Sequence, residues 1–154
     1  MSPVVTLEQI KSEHAKVAEM IAAFEAQSKV KTLRFPEIEI ELLSGEHYAG
    51  IITGKDGELS YHVILIDGDL KDVAWANAKE LAANAGGELP TRREQALLYA
   101  NLKEQFQGAA YWSCEEYASD SGYAWYQDFS LGDQSFAYEG DELRARFVRR
   151  LTIL

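Results

Sequence analysis

A chain of 154 residues, 47% hydrophobic and 11% aromatic, suits one domain with a real core and excludes a disordered protein. Its formal net charge of -10 argues against sequence-independent nucleic-acid binding and against an anionic membrane surface. With Cys114 as the single cysteine, no intrachain disulfide can form. No apolar run reaches the roughly 20 residues a membrane helix needs. The N-terminus lacks the basic and apolar regions of a signal peptide, so a cytoplasmic location is expected.

Thr6 begins the first element, a helix that its hydroxyl can cap while Gln9 reaches back in a capping box. Leu7, Ile10, His14, Val17, Ile21 and Phe24 follow at spacings of 3, 4, 3, 4 and 3, an a/d seam over about three heptads. An isolated helix of this length is marginal in water, so the seam must be covered. Two covers are open: the chain's own domain, or other copies of the chain. The narrow, strictly heptad stripe favours self-association, with His14 as a polar register point whose protonation should weaken assembly in acid. Residues 1–30 therefore read as a coiled-coil-like helix and 31–154 as a separate head, with the pattern changing after Lys29 and Lys31.

In the head, Ile38, Ile40 and Leu42 alternate with Glu37, Glu39 and Glu41, which predicts a half-exposed edge strand starting near Pro36. Strands are expected at Tyr48–Thr53 and Leu59–Ile66, joined by a Gly54-Lys55-Asp56-Gly57 hairpin turn. Val63, Ile64, Leu65 and Ile66 are apolar on both faces and mark a central strand. Trp75, Ala78, Leu81, Ala82 and Ala85 predict a helix stopped by Gly86-Gly87. Thr91 with Glu94 predicts the capped start of another, filled by Ala96, Leu97, Leu98, Ala100 and Leu102. From Ala109 the chain reads as strands and turns, punctuated at Gly132-Asp133 and Glu139-Gly140-Asp141.

The most informative stretch is Tyr111–Phe129, two aromatic-rich strands around a Ser119-Asp120-Ser121-Gly122 turn. Alternation puts Trp125, Gln127 and Phe129 on one face and Tyr126 and Asp128 on the other. Tyr117, Tyr123 and Tyr126, with Ser119, Asp120 and Asp128, are left for a surface whose composition suits adaptable recognition.

Tyr111, Trp112, Ser113, Cys114 and Glu116, then Ala124, Trp125 and Phe129, resemble the central motif of the Lcl C-terminal domain family. Leu89-Pro90-Thr91 with Glu94, and Ala145-Arg146-Phe147-Val148-Arg149, agree with it. The resemblance covers roughly residues 48–151. It implies an α+β head of C-type-lectin-like fold, related to formylglycine-generating enzymes and to retroelement variable proteins, with the motif positions Trp112, Trp125 and Phe129 in its core. It also implies a phage or prophage origin, diversified ligand contacts around the hairpin, and a trimer, with a tetramer as second choice.

Chemistry-bearing residues are sparse. Cys114 is the obvious nucleophile, but a lone cysteine in an apolar strand is ordinarily a small buried hydrophobe. Copper-dependent formylglycine-generating enzymes use a pair of cysteines, so that oxidase activity is not carried over. His14, His47 and His62 share no ligand spacing. Glu115, Glu116, Asp120 and Asp128 offer hard oxygens, yet the calcium-dependent sugar triplets of true C-type lectins are absent. No metal, cofactor or catalytic residue is expected. Arg144, Arg146, Arg149 and Arg150 form the basic cluster, either an anion site, for which Arg144 and Arg146 share a face, or partners for the surplus carboxylates.

The sequence thus reads as a non-enzymatic, multivalent binding protein for an unknown protein or small molecule, with no membrane or nucleic-acid partner. A phage anti-defence protein sequestering a small anionic or nucleotide signal is the alternative.

Overall fold

The computed structural model describes residues 4–27, 30 and 32–154. It divides into two compact units, Met1–Phe35 and Pro36–Leu154. Of the expected boundary at 30/31, Lys31 lies outside the described residues, as does Lys29.

The first unit carries one helix, α1 (Leu7–Gln27), started by the predicted capping box. The Gln9 N–H donates to Thr6 Oγ1 at 3.2 Å and the Thr6 N–H to Gln9 Oε1 at 2.9 Å. No residue of α1 is buried. Along its seam Leu7 is 65% exposed, Ile10 56%, Val17 51%, Ile21 53% and Phe24 69%, so the apolar stripe is uncovered among the described residues.

The second unit is mixed α and β: two sheets with two α-helices. Strands β1 (His47–Ile52), β2 (Tyr61–Leu65), β3 (Leu70–Val73), β4 (Ala110–Glu116), β5 (Tyr123–Asp128), β6 (Gln134–Tyr138), β7 (Leu143–Ala145) and β8 (Val148–Thr152) are joined by α2 (Trp75–Asn84) and α3 (Arg92–Leu102). The smaller sheet has the order β1-β2-β8, all antiparallel. In the larger, β3-β7-β4-β5-β6, only β4 and β7 run parallel.

β2 is the central strand its apolar run predicts, with Val63, Ile64 and Leu65 fully buried. Its hairpin to β1 turns through Asp56 and Gly57, both at positive φ, as a type I′ turn requires. α2 ends in a Schellman motif. The Gly87 N–H reaches the Ala82 carbonyl at 2.9 Å and the Gly86 N–H the Ala83 carbonyl at 3.1 Å, with Gly86 at φ +79.

Successive side chains of β4 organise two cores, because strand residues alternate sides. Trp112 packs with α2 residues Trp75, Ala78 and Ala82 and with Phe147. Its neighbour Tyr111 packs with Phe129, with Leu98 and Leu102 of α3, and with Val63 and Leu65 of β2. Both indoles are anchored to main chain: Trp112 Nε1 donates to the Val73 carbonyl and Trp75 Nε1 to the Ser113 carbonyl, each at 2.8 Å. These two bonds tie β4 to the start of α2.

Three expectations differ from the structure. Glu37–Leu42 is extended but joins no ladder. Ile38, Ile40 and Leu42 instead line a pocket with Tyr48 and His62, with Ile38 and Leu42 still 50% and 46% exposed. β3 was not foreseen; it has four residues, a charged middle and Asp72 at positive φ, and too little pattern to read. Trp125 is half-exposed, whereas Tyr126 packs against the Trp112 core.

Candidate ligand-binding face and cleft

The site begins at the start of α3. Thr91 Oγ1 accepts from the Glu94 N–H at 3.2 Å while Glu94 Oε1 accepts from the Thr91 N–H at 2.7 Å, the predicted capping box. A second carboxylate joins them: Glu115 Oε2 accepts from the Arg92 N–H at 2.6 Å. Glu115 comes from the stretch where the β4–β5 register shifts, after Trp112, and its own N–H is held by Ser113 Oγ at 3.1 Å. Two carboxylates thus complement the positive end of α3.

Glu94 is fully buried and also forms a bidentate pair with Arg150, at 2.6 and 2.8 Å. Burial pushes the Glu94 carboxyl up, but the Arg150 and Thr91 bonds outweigh it and leave the group below its ordinary value. The nearby Tyr61 hydroxyl is pushed up to about 12 by burial and by the Glu94 charge.

Arg92 opens α3 toward the β5–β6 face. Its guanidinium lies 3.5 Å over the Trp125 ring, and its Nε donates to Gln134 Oε1 at 2.9 Å. Trp125 heads an aromatic surface. It meets Tyr117 edge-on at 5.2 Å, and Tyr117 stacks on Phe136 at 4.0 Å. Tyr123 touches Phe136 and Tyr138, each at 6.0 Å. The register explains the cluster, since Trp125 pairs with Phe136 and Tyr123 with Tyr138 across β5 and β6. β6 is an edge strand, and Phe136 and Tyr138 remain 42% and 56% exposed.

Beside this surface a cleft of about 690 Å³ runs along α3. Arg92, Ala96 and Tyr99 form its floor, Glu58 and Tyr61 one wall, and Gln127 and Gln134 the other. At the far end a Cβ on Gly132 would lie 2.7 Å from the Tyr99 ring, so that loop closes against α3 only with glycine.

The residues expected to bind ligand are dispersed. Tyr117 and Tyr123 belong to the aromatic surface, and Ser119 and Asp120 lie exposed at the hairpin tip. Tyr126 faces the opposite core. Asp128 accepts from the Ser130 N–H and hydroxyl at 2.7 and 2.6 Å, bonds that hold its carboxyl below the ordinary aspartate value.

Arg144 pairs with Tyr111 at the start of β4, the opposite end of that strand from the hairpin tip. Arg144 pairs with Asp69 at 3.0 Å. Arg146 is buried, held by the Gln105 and Ile66 carbonyls, and burial draws its pKa down. Arg149 pairs with Glu46 at 2.8 Å and Arg150 with Glu94 and Glu88. Four arginines close in sequence therefore serve four separate places.

Cys114 is half-buried against the Trp112 core, and burial followed by the Glu115 charge raises its thiol pKa, which disfavours the thiolate. Among the described residues no three His, Cys, Asp or Glu side chains gather as a metal site, and no helix is long and apolar enough to cross a membrane. Arg92, Trp125, Phe136 and Gln134 were missed as a group. Their contacts span up to 42 residues, and no local spacing announces them.

No protein-family model and no curated protein matches this chain.

Proposed function

We propose that the protein is a non-enzymatic binding module, a C-type-lectin-like head that presents several copies of one recognition face by self-association through residues 7–24. The observation that carries the binding role is the exposed aromatic surface of Tyr117, Tyr123, Trp125, Phe136 and Tyr138 beside a cleft of about 690 Å³. That volume is in the range of small-molecule sites, and aromatic side chains with few rotamers make good recognition area. The uncovered seam of α1 supports the multivalent part, since linked heads turn weak single-site affinity into avidity.

The resemblance to the Lcl C-terminal domain family makes this a phage or prophage accessory protein acting in the host cytoplasm. A second reading, sequestration of a small anionic or nucleotide signal as a counter-defence, is favoured by Arg92 and Arg93 in the cleft. An oxidase of formylglycine-generating type is opposed by the raised pKa of Cys114.

The test is to incubate the protein with cleared host extract, recover it, and identify what it retains by mass spectrometry. A species held in at most stoichiometric amount, chemically unchanged, lost with Tyr123→Ala and kept with Cys114→Ser, is the expected result. Product formed over many turnovers, or loss of the activity in a folded Cys114→Ser protein, would overturn the non-enzymatic reading.

A further inference from the structure

The arginines of the second unit divide into two kinds. Arg144, Arg149 and Arg150 each hold a carboxylate, and Arg146 is taken up by main-chain carbonyls. Arg92 and Arg93 both line the cleft, and among the described residues neither guanidinium forms a salt bridge. In a chain with 25 Asp and Glu against 15 Lys and Arg, two arginines in one cleft without an acidic partner among the described residues stand out.

Arg92 is also prepared for a ligand. Stacking on Trp125 fixes its plane, and the Nε bond to Gln134 fixes its rotation. Gln134 is locked in turn, because its Nε2 donates to the Arg92 carbonyl at 2.8 Å and to Oε1 of Gln127, itself 1% exposed, at 3.0 Å. Neither terminal nitrogen of Arg92 has an acceptor among the described residues. A guanidinium held in one plane with its end N–H groups free matches the two oxygens of a phosphate or carboxylate. Arg93 donates one Nη to the Thr53 carbonyl at 2.8 Å and keeps its other donors.

We propose that the cleft beside α3 binds the oxyanion of a small, ring-bearing molecule, a phosphate monoester or a carboxylate, through Arg92 and Arg93. At about 690 Å³ the cleft is far larger than a bare anion needs. Tyr61 and Tyr99 give it aromatic walls for the ring, and exposed Ala96 leaves the helix floor open. The cleft's own carboxylates do not fill the role of the anion. Glu115 is held by the Arg92 main-chain N–H, and Glu58 is on the exposed rim.

This inference rests on reading the chain as a binding protein, and calorimetry on the full-length protein tests it apart from that reading. The probes are 5′-AMP, adenosine, inorganic phosphate and an aromatic carboxylate, indole-3-acetate. AMP or indole-3-acetate should bind, and which one does identifies the oxyanion. Adenosine and phosphate alone should bind at least about tenfold more weakly. Arg93→Gln should weaken binding by about tenfold. Ala96→Glu, at an exposed helical site, should abolish it while the circular-dichroism melt is unchanged.

Failure of both anionic probes, adenosine binding as tightly as AMP, or undiminished binding to folded Ala96→Glu would overturn the proposal. If the probes fail while host extract still yields a retained species lost with Tyr123→Ala, the cleft assignment falls and the binding reading stands.

Discussion

Trp112→Ala should destabilise the second unit by about 3–5 kcal/mol, the cost of an aromatic deletion in a core that cannot collapse around it. The indole is fully buried among α2, Phe147 and Ala124, and its N–H satisfies the Val73 carbonyl. Removing it leaves both a cavity and an unpaired buried acceptor. Urea denaturation is the readout, as a lower midpoint at unchanged slope. Trp125→Ala should cost clearly less, because that ring is half-exposed and its neighbours are Arg92, Tyr117 and Phe136 at the surface. Equal losses for the two tryptophans would contradict this division of labour.

Glu94→Ala should cost up to about 3–5 kcal/mol, because it leaves the half-buried Arg150 charge with the exposed Glu88 as its one carboxylate. It also removes the reciprocal half of the α3 capping box, the bond from the Thr91 N–H to the Glu94 carboxylate. Glu94→Gln separates the two effects, since glutamine can still close the capping box but cannot form the ion pair.

The pH dependence follows from the same group. Glu94 lies below its ordinary value of 4.5 in the folded protein, so its contribution is fully present above that value. The contribution is lost as pH falls through the lower, folded value. Glu46, lowered mainly by its bond to Arg149, acts in the same direction. Wild-type protein should therefore lose more stability than Glu94→Gln between neutral pH and pH about 3. Parallel losses in the two proteins would show that the Glu94–Arg150 pair contributes little.

Local chemistry made much of the fold legible. Thr6 with Gln9 and Thr91 with Glu94 formed the boxes their spacing announces, and Gly86-Gly87 closed α2 as a Schellman motif. The apolar run of β2 identified a central strand because only a strand covered on both faces tolerates one. The residues failed where long-range packing decides. Ile38, Ile40 and Leu42 alternate as a strand would, yet they join no ladder and line a pocket with Tyr48 and His62.

Trp125 matches the family motif and shares a face with Gln127 and Phe129, which together suggest a core position. That face is covered where Gln127 and Phe129 lie, both buried, but Trp125 meets the Arg92 side chain that opens α3 and the surface rings of Tyr117 and Phe136. Where a helix starts over a sheet is not written in either element alone. The same holds for the candidate site. Tyr117 and Tyr123 were readable as surface aromatics, whereas the cleft needs α3, β1–β2 and β5–β6 brought together.

If several heads act together, light scattering on the protein should find a trimer or tetramer at micromolar concentration. Val17→Asp with Ile21→Asp, at exposed seam positions, should reduce it to monomer and leave the head's melting temperature unaltered. A monomeric wild-type protein, or an assembly that survives the two aspartates, would contradict it.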